Sequence, residues 1–183
     1  MTSQALIIAG FGGQGVLTVG KLLAYAGMVA GKEVSWMPSY GPEMRGGTSN
    51  CHIMISDELI GSPVVAPHEA TSVIAMNGPS LDKFEDWVAP GGHLFINSSI
   101  IERKPKRSDI HIHYIDANEL AKEAGTMKAA NMVMLGSYLA ISKVLMEKQI
   151  LDVFTKVFGE DKAKLIPLNE KALNSGKCAI ENR

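Results

Sequence analysis

The segment Gly10-Phe11-Gly12-Gly13-Gln14-Gly15 constrains this chain more than any other. It has the spacing G-x-G-x-x-G and lies between Ala5-Leu6-Ile7-Ile8-Ala9, an apolar run suited to a strand buried on both faces, and Val16 to Ala30, where apolar residues recur at helical spacing. Glycines at such a turn let a ligand or a neighbouring element approach the backbone, and free N–H groups at the helix start attract an anion. Within the helix, Gly20, Ala24 and Gly27 form a small-residue stripe that permits close packing, and Gly31 ends it. A dinucleotide site also needs an Asp or Glu at the end of strand two, about 20 residues on, for the ribose hydroxyls. Met37-Pro38-Ser39 occupy that place, which disfavours ordinary NAD or NADP use. Three readings stay open: a tight packing turn, an anion site at Gly12, Gly13, Gln14 and Gly15, or the loop of a stand-alone Rossmann-type nucleotide-binding oxidoreductase.

The alternation continues along the chain. Strands are expected at Glu33 to Met37, broken by Pro38, then at Cys51 to Ile55, Ser72 to Met76, His93 to Asn97 and Ile110 to Ile115. A short helix ends near Val88, and Asp116 is placed to cap another from Ala117 to Ala124, with Gly125 behind it. One long apolar helix is expected from Ala129 to Lys148, then helical stretches at Ile150 to Phe158 and around Pro167 to Gly176. Pro105-Lys106-Arg107-Ser108 reads as an exposed loop. The pattern predicts an α/β fold, a Rossmann-like three-layer sandwich with a mostly parallel sheet and a helical C-terminal third, as a single domain over residues 1–183.

Charge and cysteine content limit what the chain can hold. With 18 basic against 19 acidic residues, the net charge of −1 gives no excess to bind nucleic acid or an anionic membrane. The N-terminus enters a strand pattern without a signal-like segment and no apolar run approaches a membrane span, so the expected location is the cytoplasm. Cys51 and Cys178 stand far apart without a Cys-x-x-Cys, so the chain cannot assemble a four-thiolate iron–sulfur cluster. Any redox centre must come from another polypeptide.

A second glycine-rich stretch, Ser39-Tyr40-Gly41-Pro42-Glu43-Met44-Arg45-Gly46-Gly47-Thr48, follows strand two. In an open parallel sheet it reaches the carboxyl edge that also carries the first loop, so the two should face one crevice. Arg45 could clamp a carboxylate or phosphate through its planar fork, Glu43 could neutralise it, or the whole turn could dock against another chain.

These two motifs, followed by Ala130-Asn131-Met132-Val133-Met134-Leu135-Gly136, resemble the gamma subunit or domain of the 2-oxoacid:ferredoxin (acceptor) oxidoreductases, over about residues 4 to 180. The resemblance implies a subunit of a complex that carries out coenzyme A-dependent oxidative decarboxylation of a 2-oxoacid, inactive alone, with 2-oxoglutarate preferred over pyruvate, branched 2-oxoacids or indolepyruvate. It implies that thiamine diphosphate, magnesium and iron–sulfur clusters reside in alpha, beta and ferredoxin-like delta subunits, and that this chain binds no cofactor by itself. It places Tyr40, Gly41, Pro42, Glu43, Arg45 and Gly46 at an intersubunit surface bordering the active site, with coenzyme A as a further contact. Asn131 belongs to the same edge, capping backbone donors or reaching the glycine loop. No residue is assigned a catalytic role. A purely structural interaction module remains the other alternative.

Other residues suggest less. His111 and His113 project from one face of a strand at a spacing some metal sites use, but no third ligand lies nearby in sequence, so no metal site is expected. Cys51 and His52 should point to opposite faces, with burial sufficient to explain the thiol. Of the ten methionines, Met127, Met132, Met134 and Met146 lie along the terminal helices, as core or as a surface for partner chains.

Overall fold

The computed structural model describes residues 3–41 and 47–182. Six strands form one sheet: β1 (Ser3–Phe11), β2 (Glu33–Tyr40), β3 (Thr48–Ser56), β4 (Ala70–Ala75), β5 (Val88–Asn97) and β6 (His111–Ile115), in spatial order β2-β3-β1-β4-β5-β6. Neighbours from β1 to β6 are parallel, whereas β3 runs antiparallel to both β1 and β2. The helices are α1 (Val16–Val29), α2 (Gly78–Phe84), α3 (Ala117–Ala124), α4 (Ala130–Ser142), α5 (Glu147–Asp152), α6 (Phe154–Phe158) and α7 (Ile166–Glu181), with short 3-10 turns between them.

Alternation along the strands sorts side chains into two cores. Leu6, Ile8, Ile53, Ile74 and Phe95 face α1 and α4, where they meet Val19, Leu22, Val133 and Leu135. Ile7, Ala9, Val73, Leu94 and Ile96 face a thinner layer of α2 and loops that contributes Leu81, Phe84 and Val65. Helices, sheet and thin layer make the expected three-layer sandwich. Each fully buried Leu or Ile contributes about 1.5–3 kcal/mol, and β1 buries six consecutive residues, which explains its interior place.

Four expectations are corrected. The anticipated βαβ unit is interrupted, because β3 inserts as an antiparallel strand between β1 and β2. Strand two does not stop at Pro38 but runs through it to Tyr40; β2 is an edge strand, where a missing N–H is tolerated. The single helix expected from Ala129 to Lys148 ends at Ser142, where Lys143 turns left-handed at φ 51° and α5 begins four residues later. Asp116 makes no side-chain cap on α3: its carboxylate accepts from the Ser99 hydroxyl, and Ser99 Oγ in turn accepts from Asn118 N at 2.9 Å. The cap is therefore a relay.

The small-residue stripe of α1 does what its composition implies. A Cβ on Gly20 would meet Cys51 Sγ at 2.6 Å, and one on Gly27 would meet Val34 Cγ2 at 2.8 Å, so the helix lies directly on β2 and β3. The loop containing Pro105 exposes Lys106 and Ser108 yet is anchored by the largely covered Arg107, which holds both carboxylate oxygens of Asp109 and donates to Val88 O at 3.0 Å. No helix is long and apolar enough to cross a membrane among the described residues.

Candidate functional site

The parallel strands β1, β4 and β5 end at one edge, and the antiparallel β3 begins there. Thr48 pairs with Phe11, and Tyr40 pairs with Ser49, so the last residues of β1 and β2 and the first of β3 lie together. Gly12 N donates to Gly47 O at 2.9 Å, tying the first glycine loop to the described end of the second. Gly41 N donates to Thr48 O at 3.0 Å. Pro42, Glu43, Arg45 and Gly46 lie outside the described residues.

After Phe11 the chain turns sharply into α1. Gln14 N closes the turn on Phe11 O at 3.1 Å; Gly13 and Gly15 take φ of 102° and 73°, values that favour glycine. Val19 N then donates to Gly15 O at 3.1 Å, the first bond of the helical ladder. The N–H groups of the first turn have no carbonyl one turn behind them, no described side chain caps them, and the first turn carries no acidic residue. Among the described residues, no side-chain cap and no acidic residue in the first turn offsets the positive end of the helix dipole there.

A groove of about 480 Å³ opens against this turn. It is lined by the turn residues Phe11, Gly12, Gly13 and Gly15, by Val16, Leu17 and Thr18 of α1, and by Tyr40, Gly47, Thr48 and Ser49 from β2 and β3. Among the lining residues, Tyr40 is 66% exposed and Phe11 36% exposed, so both offer aromatic surface to the groove. Uncapped backbone donors and apolar rings together suit a ligand with an anionic end and a planar or apolar body.

Gln14 turns its side chain inward. Its Oε1 accepts from Phe11 N at 2.7 Å and from Asn77 Nδ2 at 3.2 Å, while Nε2 donates to Met76 O at 3.1 Å. Asn77 simultaneously caps α2, its Oδ1 accepting from Ser80 N at 2.9 Å. Asn131, the second residue of α4, reaches the glycine loop, its Nδ2 donating to Gly15 O at 3.2 Å; it is not the helix cap, which falls at Ala129 without a side-chain bond, though its Oδ1 accepts from Met132 N at 3.0 Å. Phe11, Thr18, Thr48, Ser49 and Asn77 were not singled out from the sequence. Asn77-Gly78-Pro79 carried a helix-start signal, but nothing in sequence linked it to Gln14, 63 residues away.

The remaining reactive groups lie elsewhere. Cys51 is fully buried under α1, its thiol pushed up to about 12 by burial, so it is no nucleophile. His52 does point to the other face, where Nδ1 accepts from Val65 N at 3.2 Å and the ring packs edge-on against Trp87; burial, with the Lys83 charge, holds its pKa below the ordinary histidine value. His111 and His113 are joined by His93 from β5, which sequence spacing could not reveal. His93 stacks on both rings and shares an Nδ1···Nε2 hydrogen bond of 3.0 Å with His113. Even so, no three His, Cys, Asp or Glu side chains are placed to hold a metal among the described residues. Met132 and Met134 are core, whereas Met127 and Met146 are exposed.

Comparison with known proteins gives a consistent picture. Residues 5–179 match the family model described as pyruvate ferredoxin/flavodoxin oxidoreductase. The ketoisovalerate oxidoreductase subunit VorA of Methanothermobacter thermautotrophicus is 40% identical over 96% of this chain, which spans only 36% of that protein. The 2-oxoglutarate synthase subunit KorC of Methanocaldococcus jannaschii is 33% identical, covering 81% of this chain and 82% of its own. The gamma subunit of a keto/oxoacid ferredoxin oxidoreductase from Geobacter sulfurreducens superposes with a TM-score of 0.80 at 25% identity, covering 98% of this chain and 99% of its own. A chain of the 2-oxoglutarate:ferredoxin oxidoreductase of Magnetococcus marinus, solved with 2-oxoglutarate, coenzyme A and succinyl-CoA bound, superposes with a TM-score of 0.87 at 22% identity; the match covers all of this chain and 32% of that one.

Proposed function

Because the chain belongs to the pyruvate ferredoxin/flavodoxin oxidoreductase family, we propose that it is the gamma-type subunit of a 2-oxoacid:acceptor oxidoreductase complex, and that its glycine-loop groove receives the anionic end of coenzyme A at the border with a sister subunit. The single observation that carries the groove reading is the first turn of α1, which no described side chain caps and which carries no acidic residue of its own, opening onto a groove of about 480 Å³ lined by Phe11 and Tyr40 among others. Backbone N–H groups and a helix dipole would meet the phosphates, and the rings would offer faces to an adenine. Pro42, Glu43, Arg45 and Gly46 would extend the same edge toward the partner, Arg45 supplying the one guanidinium of that stretch.

Carbanion and electron-transfer chemistry is assigned to alpha, beta and ferredoxin-like delta partners, which would hold thiamine diphosphate, magnesium and iron–sulfur clusters. Two observations support that division: the chain has two cysteines in all, and Cys51 is sealed in the core as a protonated thiol. The proposed location is the cytoplasm, where such a ferredoxin-linked complex would find its acceptor. For the substrate, the resemblance favoured 2-oxoglutarate, but identity to the ketoisovalerate subunit is higher, 40% against 33% for the 2-oxoglutarate subunit, so a branched 2-oxoacid is the first to try.

The test is purification of the native assembly and turnover with a branched 2-oxoacid, 2-oxoglutarate, pyruvate and indolepyruvate, each with coenzyme A and a ferredoxin acceptor. A large iron-containing assembly using one of these is expected. A stable monomer that turns over a substrate unaided, or that binds NAD, NADP or FAD in the micromolar range by calorimetry, would establish the stand-alone enzyme instead.

A further inference from the structure

We propose that Gln14, Asn77 and Asn131 act together as a positioning clamp that presents the first turn of α1 to the anion in the groove while touching no ligand themselves. The proposal rests on the groove reading above. None of the three lines the groove. They come from three places in the chain and converge on the loop from behind: Gln14 from the loop itself, Asn77 from the end of β4, Asn131 from the start of α4.

The chemistry of the amide group explains the residue type. Gln14 must accept twice, from Phe11 N and Asn77 Nδ2, and donate once, to Met76 O. A carboxylate cannot make the third bond, and an apolar side chain makes none. Asn131 likewise donates to Gly15 O while accepting from Met132 N. The carbonyl it holds is the one that starts the helical ladder of α1, through Val19 N, so the aim of the first turn depends on it. Being neutral, the three amides lock the loop without adding a negative charge beside the positive helix end, which an acidic clamp would do.

The glycines of the motif then acquire distinct meanings. A Cβ on Gly10 would come within 2.7 Å of Gln14 Oε1, and one on Gly15 would be driven into Asn131 Nδ2. These two glycines clear space for the clamp rather than for a ligand. Of Gly10, Gly13 and Gly15, Gly13 alone has space free of described residues where a Cβ would stand, and it lines the groove.

The decisive experiment is steady-state kinetics on the intact complex, varying coenzyme A and the 2-oxoacid separately. Gln14→Leu and Asn131→Asp are each expected to raise KM for coenzyme A about fivefold or more, with kcat and the 2-oxoacid KM changed less than about twofold. Thr18→Glu, which puts a carboxylate on the groove wall, tests the groove itself and should raise the same KM. If Thr18→Glu raises it and the clamp variants do not, the clamp is refuted and the groove reading survives. If none of the three moves it, the groove reading falls and takes the clamp with it. A loss of kcat with both KM values unchanged would reduce the amides to structural roles and overturn the proposal. Should Gln14→Leu fail to assemble, Gln14→Glu keeps the two accepting contacts, loses the donor to Met76 O and adds a negative charge behind the loop; an unchanged coenzyme A KM in that variant is equally fatal.

Discussion

Two glycine contacts, the loop at residues 10–15 and the crossing of α4 over α7, use the same residue for opposite ends. At the crossing, a Cβ on Gly136 would be driven into the Leu173 carbonyl oxygen and one on Gly176 into that of Val133. Backbone meets backbone there, closed off by Ser137, whose hydroxyl donates to Gly176 O at 2.9 Å and Val133 O at 3.2 Å. At the loop, the glycines give way to amide side chains, and the far side opens on a groove. A glycine whose missing Cβ is replaced by backbone marks packing; one whose space is taken by a hydrogen-bonding side chain beside an opening marks a placed surface. Both kinds occur on or against α4, which carries Asn131 at its first turn and Gly136 farther along.

The largest effect should come at the crossing. Gly136→Ala and Gly176→Ala are each expected to lower unfolding stability by about 3 kcal/mol or more, since neither carbonyl can move without separating two helices. Urea denaturation of the purified chain reads this directly. A loss below about 1 kcal/mol would mean that the crossing relaxes easily, and the distinction between the two regions would collapse.

The loop glycines should cost less and grade among themselves. Gly15→Ala combines a left-handed backbone with a collision at Asn131, an expected loss of about 2 kcal/mol. Gly13→Ala meets no neighbour and bears only its φ of 102°, an expected loss of about 1 kcal/mol. The sharper separation is functional: both loop variants should impair coenzyme A use in the assembled complex at temperatures where they remain folded, whereas a crossing variant that still assembles should keep its KM values. Equal KM changes in the two classes would break the comparison.

Much of this was legible in the residues, and the exceptions share a cause. The buried β1, the turn, α1 with its close-packing stripe and α3 with Gly125 behind it follow from local apolar spacing and glycine placement. The place of β3 was not legible: an antiparallel strand between two parallel ones has the same local pattern as a strand beyond them, and only pairing decides. The break at Lys143 lay hidden because Ser142-Lys143-Val144 carries no glycine or proline to announce a left-handed residue. At the site, Gln14 and Asn131 were visible as polar residues in motifs, but the direction each side chain takes depends on partners 62 and 116 residues away. His93 escaped for the same reason, since a cross-strand neighbour has no sequence spacing.

The smallest expected effect separates the two ends of the sheet by pH. The loop is held by neutral amides, so the stability lost in Gly15→Ala should be the same at pH 7.5 and pH 5.5. The corner between β5 and β6 is different: burial, and then the charge of His111, hold the pKa of His93 below its ordinary value of 6.5. The unfolded chain therefore binds more protons than the folded one once pH falls below about 6.5, and stability must decline as pH drops through that value toward the lower folded pKa. His52, whose pKa is also depressed, adds to the decline with the same sign. His93→Phe keeps a planar ring against His111 and removes the titration, so its stability should fall less steeply than that of the parent between pH 7.5 and pH 5.5, measured as urea midpoints in one buffer series. An identical slope in the two proteins would show that the imidazole at position 93 titrates as if unfolded, and that the histidine corner and the amide-held loop do not differ in their response to protons.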